Sequence, residues 1–217
     1  ASALVNTRTA LGVIPAGTGN DFIKAIVTPR VPLEALSFIL SHPARPVDMG
    51  RMNDSTFLNV CGAGFDVMVL DYAEKAKKYV RGILPYLYGV ARTVANFKPF
   101  PMEITMDAGE KLSGSFLLCT VANGRYIGGG IPIAPEANVA DGLFEVEVVR
   151  AVPRWRIPFY LPGLLMGKIL GFDITRRFRC KEVTLKADAF RLNIDGERWP
   201  MEEARFSCLK DALLVHW

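Results

Sequence analysis

Leu11-Gly12-Val13-Ile14-Pro15-Ala16-Gly17-Thr18-Gly19-Asn20-Asp21-Phe22-Ile23-Lys24-Ala25-Ile26 sets an apolar run, a turn with two glycines and an amphipathic run end to end. This order predicts strand, glycine turn and helix, an arrangement in which free backbone N–H groups and a helix N-terminus can receive a phosphate. Gly17 and Gly19 let the backbone turn sharply and approach a ligand closely. Thr18 offers a hydroxyl, and Asn20 or Asp21 can cap the helix. Ordinary turn and cap chemistry accounts for the same residues, so the rest of the chain decides between the two readings.

Downstream, Pro29 and Pro43 bracket a second helix over Pro32 to Ser41. Val47 to Met52 and Thr56 to Cys61, joined across Asn53-Asp54, read as a β-hairpin. A helical stretch from about Met68 to Asn96 is broken near Gly82 and Pro85. Strands are expected at Met102 to Met106 and Ser113 to Val121. Gly142 to Val149 is a half-buried strand in which Phe144, Val146 and Val148 alternate with Glu145 and Glu147. A short helical segment, Trp155 to Leu170, comes before strands at Glu182 to Lys186, Phe190 to Ile194, Ala204 to Cys208 and Leu213 to Val215. Short strands separated by turn signals predict an α+β fold, a β-sandwich with inserted helices attached to a fragment of an α/β unit.

The chain has 217 residues, half of them hydrophobic, enough to bury a substantial core and to exclude disorder as the main theme. The net charge is only +4, but basic residues bunch at Lys75, Lys77, Lys78 and Arg81 and again at Arg176, Arg177, Arg179 and Lys181. Such clusters suit phosphates or anionic lipid headgroups, and equally a solvated face. No nucleic-acid partner is expected, because neither cluster is interleaved with aromatics in a recognition motif. Cys61, Cys119, Cys180 and Cys208 are widely spaced without a C-x-x-C pair and read as thiols of a reducing, cytoplasmic compartment. No uncharged apolar run approaches the roughly 18 residues of a membrane span.

Three further segments offer chemistry. Ala134-Pro135-Glu136-Ala137-Asn138-Val139-Ala140-Asp141-Gly142-Leu143-Phe144 places a carboxylate at a strand entrance, suited either to a hard cation or to a plain Asp-Gly turn. Leu192-Asn193-Ile194-Asp195-Gly196-Glu197 ends a strand in a tight turn with two carboxylates, suited to a general base or to a surface turn. Asn123 to Gly130 holds four glycines, suited to close ligand approach or to a flexible connection.

Taken in order, six pieces resemble the diacylglycerol kinase catalytic-domain family, bacterial lipid kinases related more distantly to sphingosine kinases and NAD kinases. They are Pro15 to Phe22, Val47-Asp48-Met49-Gly50, Phe57 to Asp66, Ala122-Asn123-Gly124 with Gly128-Gly129-Gly130, Ala140 to Phe144, and Ile194 to Glu197. The resemblance implies ATP-dependent phosphorylation of a lipid hydroxyl, most simply diacylglycerol to phosphatidic acid, in a cleft between a nucleotide domain and a β-sandwich. It places ATP at Gly17, Thr18, Gly19, Asn20 and Asp21. It places Mg²⁺ on the Asp141 carboxylate with the Asn138 and Leu143 carbonyls, and makes Glu197 the base towards the attacking hydroxyl. Phosphoryl transfer needs chiefly positioning and charge neutralisation, which agrees with these parts.

The resemblance divides the chain into a remnant of the nucleotide domain, residues 1–45, and a β-sandwich domain, residues 46–217, whose last strand returns to the first. The family's Gly-Gly-Asp-Gly-Thr motif is not present in this sequence. The chain is therefore expected to be the C-terminal part of a lipid kinase and inactive alone. Two rival readings stay open, an NAD kinase-like enzyme and a non-catalytic lipid-binding module. The expected partners are a lipid substrate and an anionic membrane surface bound peripherally, with a homodimer left open.

Overall fold

The computed structural model describes residues 1–17, 19–26, 28–82, 84–107 and 109–217. Its strands are β1 (Ala10–Leu11), β2 (Ala44–Met52), β3 (Ser55–Phe57), β4 (Val60–Gly64), β5 (Phe100–Met106), β6 (Lys111–Ala122), β7 (Tyr126–Ile127), β8 (Ile131–Pro132), β9 (Phe144–Arg150), β10 (Thr175–Cys180), β11 (Glu182–Ile194) and β12 (Glu197–His216). Its helices are α1 (Asp21–Ala25), α2 (Pro32–Ser41), α3 (Phe65–Ala76), α4 (Leu84–Asn96) and α5 (Ile157–Leu165).

Ten strands share one hydrogen-bonded sheet, ordered β10-β9-β6-β4-β11-β12-β2-β3, while β7 and β8 pair separately. Strands β6 and β11 are each bridged twice, by β4 near one end and by β5 near the other. The sheet thereby folds over on itself into the expected sandwich. Its interior is apolar: Phe57, Ile104, Cys119, Phe144, Leu185, Leu192 and Phe206 lie in one buried cluster. A second cluster fills the opposite side of β4, β6 and β9, where α3, α4 and α5 pack. Residues near the N-terminus, Leu11 and Val13 among them, share a third cluster with Val47, Leu213 and Val215, and β1 pairs in parallel with the end of β12.

Three strand expectations change in detail. The second arm of the predicted hairpin splits: Ser55–Phe57 stays on β2, whereas Val60–Gly64 crosses to pair with β6 and β11. The four short strands expected near the C-terminus are two long ones, each bent at a register shift, between Lys186 and Phe190 and between Leu209 and Leu213. An irregularity mid-strand looks like a loop to a period-two pattern. Strand β10 escaped prediction because its Thr-Arg-Arg-Phe-Arg-Cys sequence is polar for a strand; it lies at the end of the sheet order and, among the described residues, pairs with β9 alone.

Helices α3 and α4 cross closely because Gly89 has no side chain: a Cβ there would press on the Val69 carbonyl, at 2.5 Å. Helix α3 starts at Gly64, whose φ of 110° suits glycine and whose missing Cβ leaves room for the Leu117 carbonyl.

Strand β9 is buried on both faces, not on one. Glu145 and Glu147 are only 3% and 1% exposed, because their face lies beneath the Ala134 to Ala137 loop and the helical layer. Arg179 reaches Glu145 at 2.9 Å and Arg177 at 3.6 Å, so part of the second basic cluster neutralises carboxylates of its own sheet. Both carboxylate oxygens of Glu147 and the hydroxyl of Thr120, its register partner on β6, have no hydrogen-bond partner among the described residues. Burial pushes the Glu147 pKa up to about 8, with Glu145 adding to the effect and Arg177 opposing it. A carboxyl raised on folding contributes stability below its unfolded pKa that is lost as pH rises through the folded value. Glu147→Gln should therefore flatten the fall in melting temperature as pH rises from about 4.5 to about 8 and leave the protein more stable than the parent above that range. A pH series of thermal unfolding checks this, and an unchanged slope would contradict it.

Candidate active site

The fold brings the glycine turn against the triple-glycine loop. Asn20 has the left-handed backbone expected of a tight turn, φ 51°. Neither it nor Asp21 caps α1 as expected, because both side chains are engaged elsewhere. The Asn20 amide folds back on Gly17, accepting from its N–H at 3.1 Å and donating to its carbonyl at 2.7 Å. The Asp21 carboxylate accepts the Gly129 N–H at 2.8 Å, while the Lys24 ammonium donates to the Gly129 carbonyl at 2.8 Å. One residue of the loop is thus held by α1 through both its N–H and its carbonyl. Thr18, expected to contact ATP, lies outside the described residues.

Behind this contact sits Asp66 at the start of α3. Burial raises its pKa to about 6, against a hydrogen bond from the Asn193 amide at 3.1 Å that lowers it. One of its oxygens has no partner among the described residues. Tyr86 of α4 faces Gly128, where a Cβ would lie 2.9 Å from its hydroxyl. Burial raises the Tyr86 pKa, and the Asp21 and Asp66 carboxylates raise it further.

The Asp195-Gly196-Glu197 turn joins the same neighbourhood through Asn193, which holds Asp66 with its amide and accepts the Gly196 N–H at 2.9 Å. The two carboxylates of that turn have different jobs. Asp195 accepts three backbone N–H groups, from Leu58 at 2.8 Å, Asn59 at 3.0 Å and Val60 at 3.1 Å, and so pins the break between β3 and β4. Glu197 is exposed, and its side chain has no hydrogen bond or ion pair among the described residues.

The Asp141 segment lies at the mouth of β9. Asp141 accepts the Leu143 N–H at 3.1 Å and pairs with Arg179, and Asn138 accepts the Ala140 N–H at 3.1 Å. No group of three or more acidic, His or Cys side chains suited to a metal exists among the described residues. Mg²⁺ commonly takes only one or two carboxylates and keeps several waters. The Asp141 carboxylate retains lone pairs beyond its two hydrogen bonds, and Arg179 has a second acceptor in Glu145. A one-carboxylate site here would require Arg179 to give up its ion pair with Asp141.

A family model of the "YegS C-terminal NAD kinase beta sandwich-like domain" matches residues 59–216, and one of the "Diacylglycerol kinase catalytic domain" matches residues 1–52. A protein of Pseudomonas putida named "Probable lipid kinase YegS-like" is 31% identical over 217 residues, all of this chain and 71% of that protein. The chain belongs to the YegS-like lipid kinase family. A "Diacylglycerol kinase" of Mycobacterium tuberculosis is 27% identical over 98% of this chain and 70% of its own length. A crystal structure described as a candidate diacylglycerol kinase from Bacillus anthracis superposes with a TM-score of 0.78 at 26% identity, covering 98% of this chain and 71% of that one.

Among the residues that meet around the triple-glycine loop, Lys24, Asp66 and Tyr86 were not assigned a role from the sequence. Asp66 carried a usable signal, an acid directly after the apolar Phe65 in a glycine-rich segment. Lys24 and Tyr86 carried none, since their partners are 105 and 42 positions away in Gly129 and Gly128. The two carboxylates of the β11–β12 turn give a direct test. Asp195→Ala should cost about 2 kcal/mol by stranding three N–H donors, whereas Glu197→Ala should stay within about 0.5 kcal/mol of the parent. Urea unfolding of both variants checks this, and equal destabilisation would make Glu197 a structural residue too.

Proposed function

We propose that the full-length protein transfers the γ-phosphoryl group of ATP to the hydroxyl of a membrane lipid, with diacylglycerol becoming phosphatidic acid. A kinase family implies ATP as the donor. The observation that carries the reading is the convergence of α1, the triple-glycine loop, Asp66 and the Asp195-Gly196-Glu197 turn on one neighbourhood. In this reading Gly17, Gly19, Asn20 and Asp21 shape the phosphate end of the nucleotide site, with Thr18 between them. Glu197, exposed and uncommitted, accepts the proton of the attacking hydroxyl. Asp195 and Asn193 fix the turn from which Glu197 projects, so positioning comes from residues that do no proton transfer.

Mg²⁺ would be held by the Asp141 carboxylate with the Asn138 and Leu143 carbonyls, and when bound would supply positive charge that stiffens the strand entrance facing the cleft. The free cysteines, three of them buried, favour a reducing compartment. No helix among the described residues is long and apolar enough to cross a membrane, which favours a peripheral approach to the lipid.

Glu197→Gln keeps the shape of the side chain and removes its basicity, so turnover on lipid should fall about 10²-fold with ATP affinity little changed. Near-normal turnover would remove Glu197 from the mechanism. For the metal, melting temperature should rise with Mg²⁺ concentration, and Asp141→Asn should abolish the increment. An unaltered response in that variant would move the ion elsewhere.

A further inference from the structure

Helix α5 is apolar on every side, and only one side is covered. Its inward residues Ile157, Tyr160, Leu161 and Leu164 pack into the second core cluster, leaving a cavity of only about 30 Å³ beneath them. The helix is therefore docked and not a loose flap. Its outward stripe is Trp155, Pro158, Phe159, Pro162, Leu165 and Met166, spaced three and four residues apart along the helix and its preceding turn. Trp155 is 68% exposed, Phe159 77%, Leu165 55% and Met166 62%. A surface helix in water normally turns a polar face outward; one that is apolar all round lies in a core or in lipid.

The charges flanking this stripe are mostly basic; the nearest acid, Asp173, accepts from the Tyr160 hydroxyl at 3.4 Å. From Arg150 to Phe172 the chain carries Arg150, Arg154, Arg156 and Lys168 and no acidic residue. Arg156 lies over the Tyr160 ring and donates to its hydroxyl at 3.0 Å, so it covers apolar surface while its head stays at the rim. At the N-terminal end of the helix an open cleft of about 490 Å³ is lined by Lys98, Ser115 and Arg154 among apolar residues. Cations at both ends of an apolar stripe with an indole among them match the boundary between headgroups and acyl chains.

We infer that α5 is the membrane anchor of the protein, lying in the plane of an anionic phospholipid bilayer with Trp155 and Phe159 among the acyl chains and Lys98 and Arg154 on headgroup phosphates. This deepens the proposed function, on which its purpose rests. Helix α5 abuts β8, and Gly167 just beyond it touches Pro132, two residues from Gly130 of the cleft. A seated α5 therefore holds the triple-glycine loop close to the surface from which a lipid would enter.

The test is flotation of purified protein with phosphatidylcholine vesicles containing 0 or 30% phosphatidylglycerol, about 30% being enough to load the surface with charge. Binding should need the anionic lipid and weaken with salt. Trp155→Ser with Phe159→Ser should lower partitioning about 30-fold or more, whereas Leu33→Ser with Leu40→Ser, equally exposed apolar residues of α2, should not. Trp155→Phe should keep binding while losing most quenching of tryptophan fluorescence by brominated acyl chains. Lys98→Glu with Arg154→Glu should remove the preference for anionic lipid. Wild-type flotation by the Ser double variant, or a concentration-dependent dimer that this variant dissolves without any vesicle binding, would overturn the inference. Monomeric short-chain diacylglycerol separates the two claims. If it is phosphorylated equally by wild type and the Ser variant while only vesicle activity falls, both stand. If vesicles are bound but no diacylglycerol is phosphorylated, the anchor survives and the proposed function fails.

Discussion

A buried carboxylate, that of Asp48, is the fastener on which the cleft depends. Its oxygens accept the Gly142 N–H at 2.5 Å and the Asp211 N–H at 2.9 Å, its own N–H donates to Val139 at 2.6 Å, and its carbonyl receives the Asn123 amide at 3.1 Å. Four segments distant in sequence meet there: β2, the Asp141 turn, the bend of β12 at Asp211 and the start of the glycine-rich loop. Burial raises its pKa while the two amide bonds pull it back, so the carboxylate is retained by its hydrogen bonds and not by a countercharge. Loss of one partner would leave a buried charge or a stranded donor, and such fasteners are costly to break.

From this point the cleft is assembled by short links. Asp48 sets the Asp141 turn, Asn123 bridges Asp48 to the Leu58 carbonyl at 2.8 Å, and Asp195 holds the amides that follow. The Glu197 turn and the glycine loops are therefore positioned by one connected set of hydrogen bonds on rigid strands. Phosphoryl transfer asks mainly for such positioning. Helix α5 packs its inner side on the second core and leaves Trp155, Phe159, Leu165 and Met166 exposed.

Much of this was legible in the residues. Helix α2 has the bounds that Pro32 and the break before Pro43 predict, and the Asp-Gly-Glu turn joins two strands as expected, whereas the strand expected over Leu11 to Ile14 is only Ala10–Leu11. The exposed carboxylates expected at Glu145 and Glu147 were not, because alternation reports one buried face and is silent about a loop that later covers the other. Asp48 was readable only as an acid inside an apolar strand, and its partners, up to 163 positions away, belong to tertiary structure. The outer stripe of α5 was hidden for the opposite reason: an all-apolar run with two prolines reads as core, and only the fold reveals which half stays uncovered.

The central claim is that this cleft phosphorylates a lipid hydroxyl. The most direct measurement gives the full-length protein γ-labelled ATP with diacylglycerol, a sphingoid base, phosphatidylglycerol and NAD together, and follows where the label goes. The account predicts label in a phosphorylated lipid, chiefly phosphatidic acid, and none in the dinucleotide. Label in a phosphorylated dinucleotide, or none in any acceptor while ATP and vesicles are both bound, would contradict it.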